Sequence, residues 1–134
     1  MKFDFLSESD QAYYIHKAST LVEALPYIRE HAGQIFVIKY GGHAMGNTKL
    51  AQSFSKDIGL IKEVGVFPII VHGGGPQIDA KLKLKNVKSK FIQGLRITNK
   101  ETIEVVEEVL INEINKKIVK AINSSGGKAI GLFG

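Results

Sequence analysis

The chain has 134 residues, 44% of them hydrophobic and 23% charged, with no cysteine and a net charge of +5. That is enough for one domain with a real core, and it excludes a disordered chain, a disulfide framework and thiolate metal sites. No apolar stretch approaches the roughly 20 residues of a membrane helix, and Met1-Lys2-Phe3-Asp4-Phe5 is too short and too acidic for a secretion signal, so a cytoplasmic location is expected.

In chain order, the first predicted element is a helix over Asp10–Glu30. Ser7 or Ser9 caps it, and Ser7-x-x-Asp10 resembles a capping box. Ile15, Ala18, Leu21, Val22, Leu25 and Ile28 recur along one face; Pro26 is expected to kink the helix and Gly33 to end it. A helix ahead of the first strand is an appendage, so its apolar face must pack on the domain or on another subunit. Ile35-Phe36-Val37-Ile38 then reads as a strand running into Lys39-Tyr40-Gly41-Gly42.

Thr48–Val64 is the second helix, stopped by Gly65. Val66–Val71 is the second strand, and Pro68 predicts a ladder that starts late or carries an irregularity. After His72-Gly73-Gly74-Gly75, Pro76 suits the first turn of a third helix reaching Leu84. Lys85–Thr98 lacks helical periodicity and reads as strand or hairpin. Asn99 caps a long helical stretch with Ile103, Val106, Val109, Leu110, Ile114, Ile118, Val119 and Ile122 apolar. Its phase drifts near Ile111-Asn112, so one helix or two consecutive helices fit. Lys128-Ala129-Ile130-Gly131-Leu132 is a third strand, before Phe133-Gly134. An α/β unit normally continues from such a strand into a covering helix, so the chain reads as the front part of a longer protein.

Apolar β-branched runs separated by helices indicate an α/β fold with parallel strands buried on both faces. Ligands of such sheets bind at the carboxyl edge. Glycines there free backbone N–H groups for anions, so the turns read as a phosphate or carboxylate cradle with Lys39 beside it.

Two familiar phosphate motifs fail. Gly41 to Thr48 misses a P-loop because Asn47 stands where its lysine belongs, and Gly73-x-Gly75 misses a dinucleotide fingerprint because Ile78 replaces the third glycine. The lysines at 81, 83, 85, 88 and 90 lack aromatic interleaving. They read as a solvated helix end and hairpin rather than a nucleic-acid surface, with attraction of an anionic substrate as the alternative. His72 and His43 beside glycine turns read as hydrogen-bonded structural residues, and His16 and His31 as helix-surface residues. No His, Asp and Glu cluster has metal-ligand spacing, so no resident metal is expected.

Lys39-Tyr40-Gly41-Gly42-His43-Ala44-Met45, Val71-His72-Gly73-Gly74-Gly75-Pro76-Gln77-Ile78, Gly94-Leu95-Arg96-Ile97-Thr98, Asn115-Lys116-Lys117-Ile118-Val119 and Gly127-Lys128-Ala129-Ile130-Gly131-Leu132 together resemble the amino-acid kinase family, in its order and similar spacing. Within the family they resemble the branch that phosphorylates N-acetyl-L-glutamate in arginine biosynthesis. The resemblance runs from about Leu21 onward. Asn99 departs from a frequent Asp of the family, and Phe133 from a small residue.

The resemblance implies a three-layer sandwich with a mainly parallel sheet, incomplete in this chain. It also implies transfer of the ATP γ-phosphate, with Mg2+ arriving on ATP and no tightly bound cofactor, to the side-chain carboxylate of N-acetyl-L-glutamate. By that reading Lys39 is catalytic, Gly41 and Gly42 bind phosphate, and Gly74, Gly75 and Arg96 bind substrate, Arg96 through the α-carboxylate. Residues 1–32 resemble the interlacing helix of arginine-inhibited hexamers. The family's second half, with much of the ATP site, is absent from these residues, so little activity is expected of this chain alone. Rival readings are a carbamate or glutamate kinase of the same family, or a non-catalytic substrate-binding or oligomerisation fragment.

Overall fold

The computed structural model describes residues 7–133. The segment 1–6, with its Met1–Phe5 stretch, Gly134 and the side chain of His43 lie outside the described residues. Helix α1 spans Glu8–His31 and is capped by Ser7, whose Oγ accepts from the Asp10 N–H at 3.2 Å and donates to the Asp10 carboxylate at 2.6 Å. It runs through Pro26 unbroken, and none of its residues is buried. Leu21, on the stripe expected to pack, is 70% exposed. Among the described residues, Ile28 alone of the stripe is half-buried, so the stripe does not pack on the domain along its length.

Strands β1 (Ile35–Tyr40) and β2 (Phe67–His72) pair in parallel, in register from Ile35 opposite Phe67 to Tyr40 opposite His72. Between them come a single turn, α2 (Gly42–Met45), and α3 (Thr48–Glu63). Asn47 caps α3, its side chain accepting from the N–H groups of Lys49 and Leu50. Pro68 is accommodated because the Phe67 N–H donates to Gln34 O at 2.8 Å. The next nitrogen, that of Pro68, then faces away from β1, where no donor is needed.

The sheet has two unlike faces. Phe36, Ile38 and Tyr40 turn towards α3, where the Tyr40 ring stacks on Phe54 with centroids 4.0 Å apart; burial pushes the Tyr40 phenol pKa up. Ile35, Val37 and Lys39, in register with Phe67, Ile69 and Val71, are all exposed on the other face. Among the described residues, the expected three-layer sandwich is thus a sheet with helices on one side.

Beyond β2 the chain folds into a tight helical block. Helix α4 spans Gly75–Leu84; β3 (Lys90–Ile92) and β4 (Leu95–Ile97) form an antiparallel hairpin. Gln93 and Gly94 both have positive φ, as a two-residue hairpin loop requires. Helix α5 (Lys100–Glu107), capped by Asn99 accepting from the Thr102 N–H, continues into a π-helical stretch, Glu108–Asn115, and then α6 (Lys116–Ser124).

The π stretch explains the drift in phase. Thr102, Val105 and Val109 are buried at spacings of three and four, and the next buried residue is Ile114, five further on. A turn closed i to i+5 absorbs the extra residue and keeps one face inward. Ile78 and Leu82 of α4 pack there against Val105, Val109 and Ile114 to make the core.

The third predicted strand is corrected. Residues 127–133 form no ladder with β2. The segment is held instead by side chains. Asn123 accepts from the Ala129 N–H at 2.7 Å and donates to Ala129 O at 3.2 Å, and Asn115 donates to Leu132 O at 3.3 Å. A cleft of about 560 Å3 separates it from β2. On that edge Pro68 offers no donor, which removes one rung that a parallel partner would need.

Candidate functional site

Parallel pairing fixes where the glycine turns go. Tyr40 and His72 end the two strands opposite each other, and the Gly73 N–H reaches back to Tyr40 O at 3.4 Å. The turns Gly41–Gly42 and Gly73–Gly75 therefore leave the same carboxyl edge. The segment holding Gly131 joins them through Asn115, whose carboxamide donates to His72 Nε2 at 3.4 Å as well as to Leu132 O. A Cβ on Gly131 would overlap that carboxamide. The edge thus gathers all three glycine-bearing segments noted in the sequence.

Each predicted residue has a definite place. Lys39 is exposed on the uncovered face, opposite Val71, and has no ion-pair partner among the described residues. Among the described residues no surface ion pair, the plain alternative for a strand-end lysine, engages it. Gly41 is exposed with open space where a side chain would be, and Gly42 opens α2.

Gly74 and Gly75 differ in why they are glycine. Gly74 is buried, and a Cβ there would stand 2.6 Å from Ile114 Cδ1 and 2.7 Å from Leu110 Cδ2, so the core needs it bare. Gly75 is exposed and begins α4, whose first N–H groups have no intrahelical carbonyl to pair with. An anion at this terminus meets free donors and the positive end of the helix dipole.

Arg96 is not brought to the strand ends by β1 or β2. It sits on β4 and is tied to α4: Nη2 donates to Asp79 Oδ1 at 2.8 Å, and Nη1 donates to Ser89 Oγ. Its Cζ lies 4.6 Å from the centre of the Phe91 ring. Arg96 thus makes a salt bridge, yet the arginine side chain is only 12% exposed.

His72 is half-buried and bonded on both ring nitrogens, with Nδ1–H donating to Gly73 O at 3.2 Å and Nε2 accepting from Asn115. That arrangement suits a residue that shapes the turn. Two of the five clustered lysines are engaged: Lys81 pairs with Glu113 and Glu108, and Lys85 with Glu108. Hydrogen bonds donated to Glu113, then to Glu108, push Lys81 up to about 12, and those received from Lys85, then Lys81, pull Glu108 down to about 2. Among the described residues no three His, Cys, Asp or Glu side chains gather to hold a metal. No helix there is long and apolar enough to cross a membrane.

Sequence reasoning missed Asp79 and Ser89 as partners of Arg96, and Asn115 as the link between turns. Asn115 stood within a recognised segment, but only its place at the end of the π stretch turns it towards His72. Gln77, on the first turn of α4, was also passed over; its Oε1 is buried with no hydrogen-bond partner among the described residues.

Known proteins share this pattern. The profile of the Amino acid kinase family matches residues 34–134. The acetylglutamate kinase of Novosphingobium aromaticivorans is 53% identical over 129 residues, 96% of this chain and 43% of that protein. That of Zymomonas mobilis is 56% identical over 120 residues, 90% of this chain and 40% of that protein. The chain therefore spans about two-fifths of the length of these relatives. In fold, 81% of it superposes on 25% of an N-acetylglutamate synthase from Neisseria gonorrhoeae with a TM-score of 0.69 at 21% identity. A Streptococcus mutans protein matches 70% of it, over 37% of that protein, with a TM-score of 0.62 at 31% identity. With a family profile matched from the first strand to the last residue, and strands, turns and helices in the arrangement just described, the chain belongs to the amino acid kinase family.

Proposed function

We propose that this chain is the acetylglutamate-binding part, residues 1–134, of a cytoplasmic N-acetylglutamate kinase in arginine biosynthesis. The enzyme transfers the γ-phosphate of ATP, which brings Mg2+ with it, to the side-chain carboxylate of N-acetyl-L-glutamate. A carboxylate oxygen bonds to the γ-phosphorus as the bond from phosphorus to the ADP oxygen breaks. The nucleophile is already an anion, so no base is required, and catalysis rests on positioning and charge neutralisation. Lys39 neutralises the transferring phosphoryl group, with the Gly41 and Gly42 amides donating to its oxygens. The Gly74 and Gly75 amides hold the substrate, and Arg96 pairs with its α-carboxylate.

The observation that carries this reading is a lysine without an ion-pair partner among the described residues, at the carboxyl end of β1, on the edge where the glycine turns meet. The identity to acetylglutamate kinases favours that acceptor over glutamate or carbamate. A panel of N-acetylglutamate, glutamate and carbamate, each with MgATP and the intact protein, tests it. Acetylglutamate-dependent ADP release at least about tenfold above the others is expected, and equal or greater release with glutamate or carbamate contradicts it.

Helix α1 supports a second part of the proposal, oligomerisation as an arginine-inhibited hexamer. It carries Tyr13, Leu21, Leu25 and Tyr27 exposed along 24 residues, none of them buried. Light scattering that finds a monomer or dimer, with turnover indifferent to arginine, rules this part out.

A further inference from the structure

Arg96 is restrained more tightly than a surface arginine needs to be. One terminal nitrogen is taken by Asp79, the other by Ser89, and one face of the guanidinium lies over Phe91, its cross-strand partner in the hairpin. A guanidinium has five N–H donors in a fixed plane, so two such bonds leave three free and set the direction in which they point. Asp79 follows Gly75 by four residues on α4, one turn along the same side of the helix. The helix is itself immobilised: Ile78 and Leu82, on either side of Asp79 in sequence, are both buried in the core. Gly74, just before α4, is wedged against Ile114 and Leu110. One rigid element thus carries the free amides at its start and the carboxylate that aims the arginine one turn later.

We propose that Asp79 is a positioning residue, assisted by Ser89 and Phe91, which holds the Arg96 guanidinium at a fixed offset from the Gly74–Gly75 amides so that one substrate can engage both. The role rests on Arg96 and those amides being the substrate-binding groups. It assigns to α4 the setting of the distance between the two anionic ends the site accepts. Asp79 touches no substrate and acts only through Arg96. A purely structural role, pinning the hairpin to α4 through the same ion pair, would lower stability and leave KM for acetylglutamate unchanged.

A double-mutant cycle in the intact protein separates these, with acetylglutamate varied at saturating MgATP. Asp79→Asn keeps the shape and removes the charge; it is expected to raise KM for acetylglutamate about tenfold, with a much smaller change in kcat. Arg96→Ala is expected to raise KM about a hundredfold. Adding Asp79→Asn to Arg96→Ala should change KM no further, since the carboxylate then has nothing to aim. An unchanged KM in Asp79→Asn, or losses that multiply in the double variant, overturns the positioning role. A wild-type KM in Arg96→Ala instead overturns the reading on which it rests. Should Asp79→Asn fail to fold, Ser89→Ala runs the same cycle from the other nitrogen. Its expected change is about threefold, again absent in the Arg96→Ala background.

Discussion

The helical block and the sheet treat apolar residues in opposite ways. Between α4 and the α5–π segment, Val109 is fully buried and Leu82 nearly so. On the open side of the sheet, Val37 is 69% exposed, with Ile35, Phe67, Ile69 and Val71 beside it. The strands are the more apolar of the two in sequence, so what differs is what covers them. The helical block is completed by residues close along the chain, whereas the strands are coded for two covered faces and have one here. The candidate site draws on both: Lys39 stands on the uncovered face, while Gly74, Gly75 and Arg96 are braced by the block.

Cavity-forming substitutions probe this contrast with the largest expected effect. Leu82→Ala should lower unfolding free energy of the 134-residue chain by about 2–5 kcal/mol, and Val37→Ala by no more than about 0.5 kcal/mol. Urea unfolding midpoints measure both. A loss of similar size at Val37 would mean that its face is covered and the two regions are not distinct.

A smaller effect concerns pH and the ion pairs that tie α4 to the π stretch. Glu108 is held at about 2 against an ordinary 4.5, so its contribution is present above pH 4.5 and is lost as pH falls towards 2. Lys81 is raised to about 12 against 10.5, so its contribution is complete below 10.5 and is lost as pH rises towards 12. Glu108→Gln should flatten the dependence of the unfolding midpoint on pH between 4.5 and 2 and weaken it above 10.5. These pairs are partly exposed, so the change is modest. An unaltered acid limb in the variant would show that the pairs do not brace the block.

Much of the fold was legible because its signals are local. The strands before Gly41 and Gly73, the helix opening at Gly75-Pro76 and the Asn99 cap all follow from neighbouring residues. Even the drift near Ile111 was a real signal, and the π stretch is its cause. What was not legible depends on distant partners. Arg96 was noticed as a carboxylate ligand, but Asp79, 17 residues away, follows from no spacing rule. The 128–132 run has the composition of a strand, yet whether it joins a ladder is decided by the edge of β2, where Pro68 withholds a donor. Gly74 was read as a ligand amide or a tight turn, and its closeness to Leu110 and Ile114 required the packed helices to be seen.

In the proposed reaction the carboxyl edge of β1 and β2 delivers an ammonium group to the transferring phosphoryl group. Steady-state kinetics of Lys39→Ala in the intact protein test it most directly. In this variant kcat is expected to fall by about 100-fold or more while KM for acetylglutamate stays within about threefold. Wild-type turnover in that variant would contradict it.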